Sequence, residues 1–329
     1  MFKGKKILFF SANFFGYQTE IKNKLVALGA EVDFFDERPT NTFLYKSLIR
    51  FDKRIIRIPI ENYYRDIISK TKIIDYDFVL FIKAEVITPK ILKVLRQHQQ
   101  NAKFILYLWD SLEEYKSVKK LFPIFDKILS FDMRDVDKYS FLHFRPLFYL
   151  DSYAQLPEIQ IKNKNDVVFI GTSHQDRYPV LIKLRDYCRL NNIKNYFFIY
   201  LPDWRLYYLW KLFSKNFRKA KKSDFKLKPI SKEEITTIVK NTICVIDIEK
   251  QIQSGLTMRA LEVLGARRKL ITTNATIKDY DFYNENNILI INRENPIISV
   301  EFIKKEYEKV APEIYIKYSL EYWLNEVFN

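Results

Sequence analysis

The sequence predicts an α/β protein made of two Rossmann-like halves, and three observations predict it. Short runs of Ile, Phe, Leu and Val without polar alternation recur along the chain, as in strands buried on both faces of a parallel sheet. Stretches with helical apolar spacing fall between these runs. After a polar stretch at 151–165 the opening order of strand, loop, helix and strand returns, although the residues themselves do not repeat. The 329 residues suffice for two substantial cores, and a hydrophobic content of 48% excludes a disordered or collagen-like chain.

The elements follow in order. Lys6 to Phe10 is an apolar run, Ser11 to Gly16 a loop, Glu20 to Leu28 a helix and Glu31 to Phe35 a second strand. Gly29 sits where a helix stop belongs. Strands are expected at Phe78 to Lys83, Phe104 to Trp109 and Ile128 to Phe131, with helices near Pro89 to Gln97 and Ser111 to Phe122. Pro157 and Asn163-Lys164-Asn165 mark a linker. Val167 to Ile170 reads as strand, Gly171 to Asp176 as loop, Val180 to Leu190 as helix and Tyr196 to Tyr200 as strand. Helix Lys232 to Val239, strand Ile243 to Ile248 and helix Thr257 to Leu264 come next, with Gly265 as a helix stop. Strands at Lys269 to Thr273 and Ile288 to Ile291 precede closing helices near Ser299 to Val310 and Glu313 to Phe328. Two domains of this kind, with a cleft between them, place ligands outside the carboxyl ends of their strands.

Lys and Arg number 55 against 40 Asp and Glu, a formal charge of +15, which suggests an anionic partner: nucleotide, nucleic acid or membrane surface. Cys188 and Cys244 support no disulfide framework, so a reducing compartment is expected. No uncharged apolar run reaches the roughly 18 residues a membrane-crossing helix needs. Lys3 to Lys6 followed by Ile7-Leu8-Phe9-Phe10 imitates a secretory signal, but the run is short and interrupted by Asn13, and it reads as a buried strand. Neither G-x-G-x-x-G nor G-x-x-x-x-G-K-[ST] occurs.

The most informative stretch runs from Gln253 to Glu262. A strand ends before it, Gly255 lies in the loop, and a helix begins around Leu256, so that free N–H groups can attract an anion. Ser254 or Thr257 can cap that helix or meet a phosphate oxygen. Arg259 in the first turn can clamp a diphosphate, and Glu262 one turn on can accept hydrogen bonds from ribose hydroxyls. The same two residues, at i and i+3, could equally form an ordinary surface ion pair. A second candidate is the loop Gly171-Thr172-Ser173-His174 with Arg177, which offers close backbone approach and phosphate donors, or is simply a polar surface loop. A third is Asp110 at the end of the strand before Ser111: a general base for a hydroxyl nucleophile, or a helix cap. Glu85 is a rival base, and Lys83 could pair with either carboxylate.

Metal binding has little support. Only His98, His143 and His174 are present, without ligand spacing, and Asp75-Tyr76-Asp77 and Asp279-Tyr280-Asp281 sit away from the carboxyl ends of strands. From Trp204 to Lys226, Leu206, Leu209, Trp210, Phe213 and Phe217 share one side of a helical wheel, and Lys211, Lys215, Arg218 and Lys222 nearly the opposite side. That suits an interfacial helix on anionic lipid, as does the basic, aromatic region 43–72; the alternative is a solvated helix packed on its own domain.

Tyr107-Leu108-Trp109-Asp110-Ser111, Phe125-Asp126-Lys127, Ser130-Phe131-Asp132 and Pro146-Leu147-Phe148-Tyr149 form one set of family-like residues. Phe169-Ile170-Gly171-Thr172, Gly255-Leu256-Thr257-Met258-Arg259 with Glu262, and Lys269-Leu270-Ile271-Thr272-Thr273-Asn274 form another. Together they resemble the bacterial capsule and lipopolysaccharide glycosyltransferases of GT-B fold, in the neighbourhood of CgeB-like proteins, over nearly the whole chain. The resemblance implies an acceptor domain at 1–155, a nucleotide-sugar domain at 156–311, and a C-terminal helix at 312–329 that crosses back to the first domain. It implies a nucleotide-diphosphate sugar as donor, a UDP-sugar first, with no cofactor and no metal. Gly171, Thr172, His174, Arg177, Gly255, Thr257 and Arg259 would then meet the donor, Glu262 its ribose, and Asp110 or Glu85 would act in catalysis. The E-x7-E pattern of many retaining members is missing, because position 254 is Ser. The acceptor would be a lipid-linked oligosaccharide at the inner membrane face, the location cytoplasmic and peripheral, with membrane contact through 204–226 and 43–72. Nucleic acid is not expected as a partner; a nucleic-acid-binding protein or a non-catalytic scaffold are the alternatives.

Overall fold

A computed structural model describes all residues except 43, 44, 46–48, 50–52 and 159–164. The chain forms two compact units, Met1–Pro146 with Leu320–Asn329, and Leu147–Ser319. The expected boundary at 155 and the described structure therefore differ: Leu147 to Gln155 belong to the second unit. Parts of the expected linker and of the 43–72 region lie outside the described residues.

The first unit holds a parallel sheet of strands β1 (Lys6–Ser11), β2 (Glu31–Asp36), β3 (Phe78–Ile82), β4 (Lys103–Leu108), β5 (Lys127–Ser130) and β6 (His143–Phe144), in the order β2-β1-β3-β4-β5-β6. Ile7 pairs with Phe78 and Ile82 with Tyr107 in the register of the central strands. The unbroken apolar runs of β1, β3 and β4 are buried because helices cover both faces of a parallel sheet. On one face Phe10 stacks on Phe81 with ring centroids 4.4 Å apart, and helix Arg57–Thr71 buries Ile60, Tyr64, Ile67 and Ile68. Gly29, at φ 95°, ends helix Tyr17–Ala27 in the left-handed conformation that a side chain disfavours. Helix Leu320–Phe328 closes the unit: Trp323 meets the Tyr107 ring at 4.8 Å, and Phe328 packs edge-on against Phe2 and Phe78.

The second unit has strands β7 (Asn165–Thr172), β8 (Asn195–Tyr200), β9 (Thr242–Asp247), β10 (Lys269–Thr272) and β11 (Ile288–Ile290), all parallel, in the order β11-β10-β9-β7-β8. Both sheets reverse direction beside their first strand, at β1/β3 and at β7/β9, and such switch points are where open α/β sheets bind ligands.

Several sequence expectations need correction. Ser111 to Phe122 is not an α-helix but turns leading into the 3-10 helix Lys116–Ile124; Pro123 lacks the N–H and would crowd the preceding turn of an α-helix. The expected helix at Ser299 to Val310 is only Val300–Lys304. The Asn287 side chain bonds the Glu308 carbonyl and N–H at 2.6 and 2.9 Å, which holds that backbone outside a helix. Glu313 to Phe328 is two helices, Pro312–Lys317 and Leu320–Phe328, interrupted where Tyr318 accepts from Tyr149 N at 2.8 Å. Residues 204–226 are not one helix, since Trp204–Phe213 ends at Ser214. The helix does end at Gly265, but the positive φ belongs to Arg267. Gly265 instead permits close packing, because a Cβ there would lie 2.6 Å from the Tyr149 ring.

Candidate functional site

Each unit carries a charged cluster at its own switch point. In the first, residues after β1, β3 and β4 enclose a recess lined by Phe14, Tyr17, Gln18, Lys83, Trp109 and Asp110, with about 490 Å³ of empty space when open solvent at its mouth is included. Lys83 and Ala84, directly after β3, have φ values of 79° and 52°. Non-glycine residues in this region carry strain of about 1–3 kcal/mol each, so the surroundings must hold them. They are held from three sides. Lys83 N donates to Tyr107 O at 2.9 Å, Glu85 N to Glu37 Oε2 at 2.7 Å, and the Tyr115 hydroxyl to Glu85 O at 3.1 Å. The bent turn aims the Lys83 ammonium at Asp110 Oδ2, 2.7 Å away, with Glu85 Oε1 at 3.9 Å. Burial disfavours the Lys83 charge, yet Asp110 and Glu85 outweigh it and hold its pKa above the usual value.

The two expected bases thus meet through one lysine, in different settings. Glu85 is 6% exposed and bound by Arg38, whose Nε lies 2.9 Å from its Oε2; Asp110 is 27% exposed and lines the recess. Sequence reasoning missed Glu37 and Arg38. Glu37 is fully buried, and burial with the neighbouring Glu85 charge pushes its pKa up to about 8 against the pull of Lys83 and Arg38. Its Oε1 has no hydrogen-bond partner among the described residues. The available signal was the charged pair directly after the end of β2.

The second cluster surrounds Asp247, the last residue of β9. Thr257 Oγ1 donates to Asp247 Oδ2 at 2.8 Å and accepts from Ala260 N at 3.2 Å, so it caps helix Met258–Gly265 and ties the helix start to the strand end. Asp247 is buried and pushed up to about 6 by desolvation, opposed by Arg177 and by the Thr257 hydrogen bond. Arg177 opens helix Arg177–Leu190 and donates to Thr172 O at 3.0 Å. Its pKa is lowered, because burial outweighs Asp247, Asp176 and Glu249. Two buried donors of this loop, Ser173 Oγ and Arg177 Nε, have no hydrogen-bond partner among the described residues. Gly171 is needed here: a Cβ would come within 2.9 Å of the Phe169 ring and 3.5 Å of Arg177 Nη1. His174 contributes its carbonyl, which accepts from Tyr178 N at 3.0 Å.

Arg259 and Glu262 do pair, at 2.9 Å, but not on the surface: the Glu262 side chain is only 4% exposed. Arg259 Nη1 also lies 3.4 Å from the Tyr153 hydroxyl. Asp247 feels both Arg177 and Arg259, so it joins the two expected donor-binding stretches. Gly255 lies in a loop fastened from β10: Asn274 Nδ2 and Thr276 Oγ1 donate to Ser254 O at 3.0 and 2.7 Å. Beside it Glu249 accepts from Thr273 at 2.6 Å and pairs with Arg293 at 2.8 Å. Asp247, Glu249 and Arg293 were not expected from the sequence, although Asp247 occupies the strand-end position that singled out Gly171. Among the described residues no group of three or more His, Cys, Asp or Glu could hold a metal ion. Of the two D-x-D stretches, Asp77 binds Lys5 and Asp281 binds Lys317 and the Tyr318 hydroxyl.

No family model and no curated protein matches the chain. Solved structures do. An alpha-glucosyltransferase in complex with UDP and a mismatched 13-mer DNA is 11% identical with a TM-score of 0.63, covering 98% of this chain and 95% of its own. The lipopolysaccharide outer core galactosyltransferase WaaB, in its apo form, is 13% identical at 0.55, covering 98% of each chain. Anabaena HepE in complex with UDP and glucose is 10% identical at 0.57, also covering 98% of each. These neighbours are GT-B glycosyltransferases, and the fold of this chain is GT-B.

Proposed function

We propose that this chain is a glycosyltransferase that moves a sugar from a nucleoside diphosphate donor, a UDP-sugar first, to a hydroxyl of a lipid-linked oligosaccharide. The observation that carries the reading is the Gly171 loop, where Ser173 Oγ and Arg177 Nε are buried donors without partners among the described residues, beside a switch point. A diphosphate oxygen supplies what both groups lack, and its charge favours an arginine that its surroundings under-compensate. UDP in two of the structural neighbours supports the same donor.

In this reading the acceptor hydroxyl oxygen attacks the anomeric carbon and gives its proton to Asp110. The bond from that carbon to the diphosphate oxygen breaks, and the electron pair leaves with the diphosphate. Arg177, Arg259 and the N–H groups at the start of helix Met258–Gly265 stabilise that charge without a metal or cofactor. Lys83 keeps Asp110 oriented, whereas Glu85, bound to Arg38, serves to hold the turn. The Phe14, Tyr17 and Trp109 rings of the recess offer apolar faces to a sugar ring. We place the activity in capsule or O-antigen synthesis, at the cytoplasmic face of the membrane as a peripheral protein.

The test is calorimetric titration and thermal shift with UDP, GDP, UDP-sugars and CMP. Nucleoside diphosphates should raise the melting temperature in proportion to ln(1 + [L]/Kd), and a UDP-sugar should turn over with a glycan acceptor. A folded protein that binds none of these nucleotides overturns the reading.

A further inference from the structure

Helix Trp204–Phe213 is apolar on two faces, and only one of them is used by the core. Tyr207 is buried, and Leu206 and Trp210 pack against the cluster that holds Phe217 and Phe225. The Tyr207 hydroxyl donates to Ala220 O at 2.9 Å, and Trp210 meets Phe217 at 5.1 Å, so the following segment is fixed beneath the helix. The other face turns outward. Tyr208, Leu209, Leu212 and Phe213 lie one helical turn apart in pairs and are 55%, 50%, 71% and 75% exposed. Four large apolar side chains side by side on a rigid helix form a patch, unlike scattered surface apolar residues.

The chemistry around the patch selects its partner. Residues 204–228 carry nine Lys and Arg and a single acid, Asp224. Asp224 faces inward, bonded to the Tyr178 hydroxyl at 2.7 Å and to Arg185 at 2.8 Å. Lys215, Arg218, Lys219, Lys221, Lys226 and Lys228 are all exposed. Like charge opposes a second copy of this surface, and leucine and phenylalanine tips find no counterpart on a phosphodiester backbone. An anionic bilayer satisfies both features, with headgroups for the cations and acyl boundary for the apolar tips.

We propose that Tyr208, Leu209, Leu212 and Phe213, carried on the same basic segment as these cations, insert into an anionic phospholipid surface. The inference gives the peripheral location proposed above a physical site, and it stands apart from the sugar chemistry: nucleotide titration tests one, vesicle binding the other.

The experiment is flotation of the full chain with vesicles of phosphatidylcholine alone or mixed with phosphatidylglycerol. The protein should float with the mixed vesicles, stay behind with the neutral ones, and be released by salt of about 0.5 M, which shortens screening to a few ångströms. Leu212→Ser with Phe213→Ser should weaken partitioning at least about tenfold. Its melting temperature should match wild type, because both side chains are in solvent. Lys219→Glu with Lys221→Glu should do the same through charge. Unchanged flotation of the Leu212/Phe213 variant overturns the proposal, as does no flotation with either vesicle. A solution dimer abolished by that variant assigns the patch to self-association instead. Duplex oligonucleotide binding kept by it, but lost in the Lys219/Lys221 variant, assigns the surface to nucleic acid.

Discussion

At the end of β3, Lys83 is a part-buried cation whose neighbours more than compensate it: Asp110 and Glu85 hold its charge in place against desolvation. Beyond the end of β7, Arg177 is a part-buried cation whose neighbours compensate it too little, and desolvation prevails. The two sheets share a topology and a switch point, yet the first cluster holds its cation with two carboxylates, whereas the second leaves two buried donors without partners among the described residues. The buried carboxyls differ in the same sense. Near neutral pH Glu37, raised to about 8, is largely protonated, whereas Asp247, raised to about 6, is largely ionised and helps hold Arg177. A shared backbone plan therefore sets where a site lies, and burial of particular charges sets what it takes.

Five variants break or sharpen this contrast. Asp110→Asn should have the largest effect: turnover with a glycan acceptor should fall about 10²–10⁴-fold, the span for a general base, with UDP affinity by titration unchanged. Full activity would remove Asp110 from the mechanism. Next, Arg259→Ala leaves Glu262 buried without its cation, and urea denaturation should show a loss of about 3 kcal/mol. Lys83→Ala, in a pair about a quarter exposed, should cost less, about 1 kcal/mol. Equal losses would end the distinction between the two clusters.

Arg177→Ala should weaken UDP binding by about 1.5–3 kcal/mol, the range for a charged hydrogen bond. Since the removed charge is under-compensated, stability measured in the same experiment should hardly change or should rise. Unchanged UDP affinity would refute the loop as the diphosphate site. The smallest effect concerns pH. Glu37 binds its proton more tightly folded than unfolded, so its contribution is fully present below the unfolded value near 4.5 and is lost as pH rises through about 8. Melting temperature should fall across that window, by at most about 1.4 kcal/mol of stability per pH unit from this group. Glu37→Gln mimics the protonated form and should flatten the fall; an unaltered slope would exclude Glu37 as its source.

The strands were legible because a strand buried on both faces needs a short apolar run, and that signal is local. All of the expected strands are present within about two residues, whereas β6, two residues long, left no signature. Helices failed where a distant group intervened: Asn287 captures Glu308, and Tyr149 interrupts the last helix beside Ser319. The wheel drawn over 204–226 combined Leu206, Trp210 and Phe217, which pack inward, with Leu209 and Phe213, which do not. Its error was to continue one helix past Ser214.

By itself, the chain determined where its strands and strand-end loops fall, hence that Gly171, Asp110, Thr257 and Arg259 come at the ends of buried strands or the start of a helix. Tertiary structure decided which charges meet there. Whether a carboxyl is neutral or ionised, and whether a cation is satisfied or left short, depends on burial by residues ten or more positions away. Glu37 beside Glu85, Thr257 on Asp247 and Arg293 on Glu249 are such encounters. Desolvation acts only once they have formed, and no local pattern announces it.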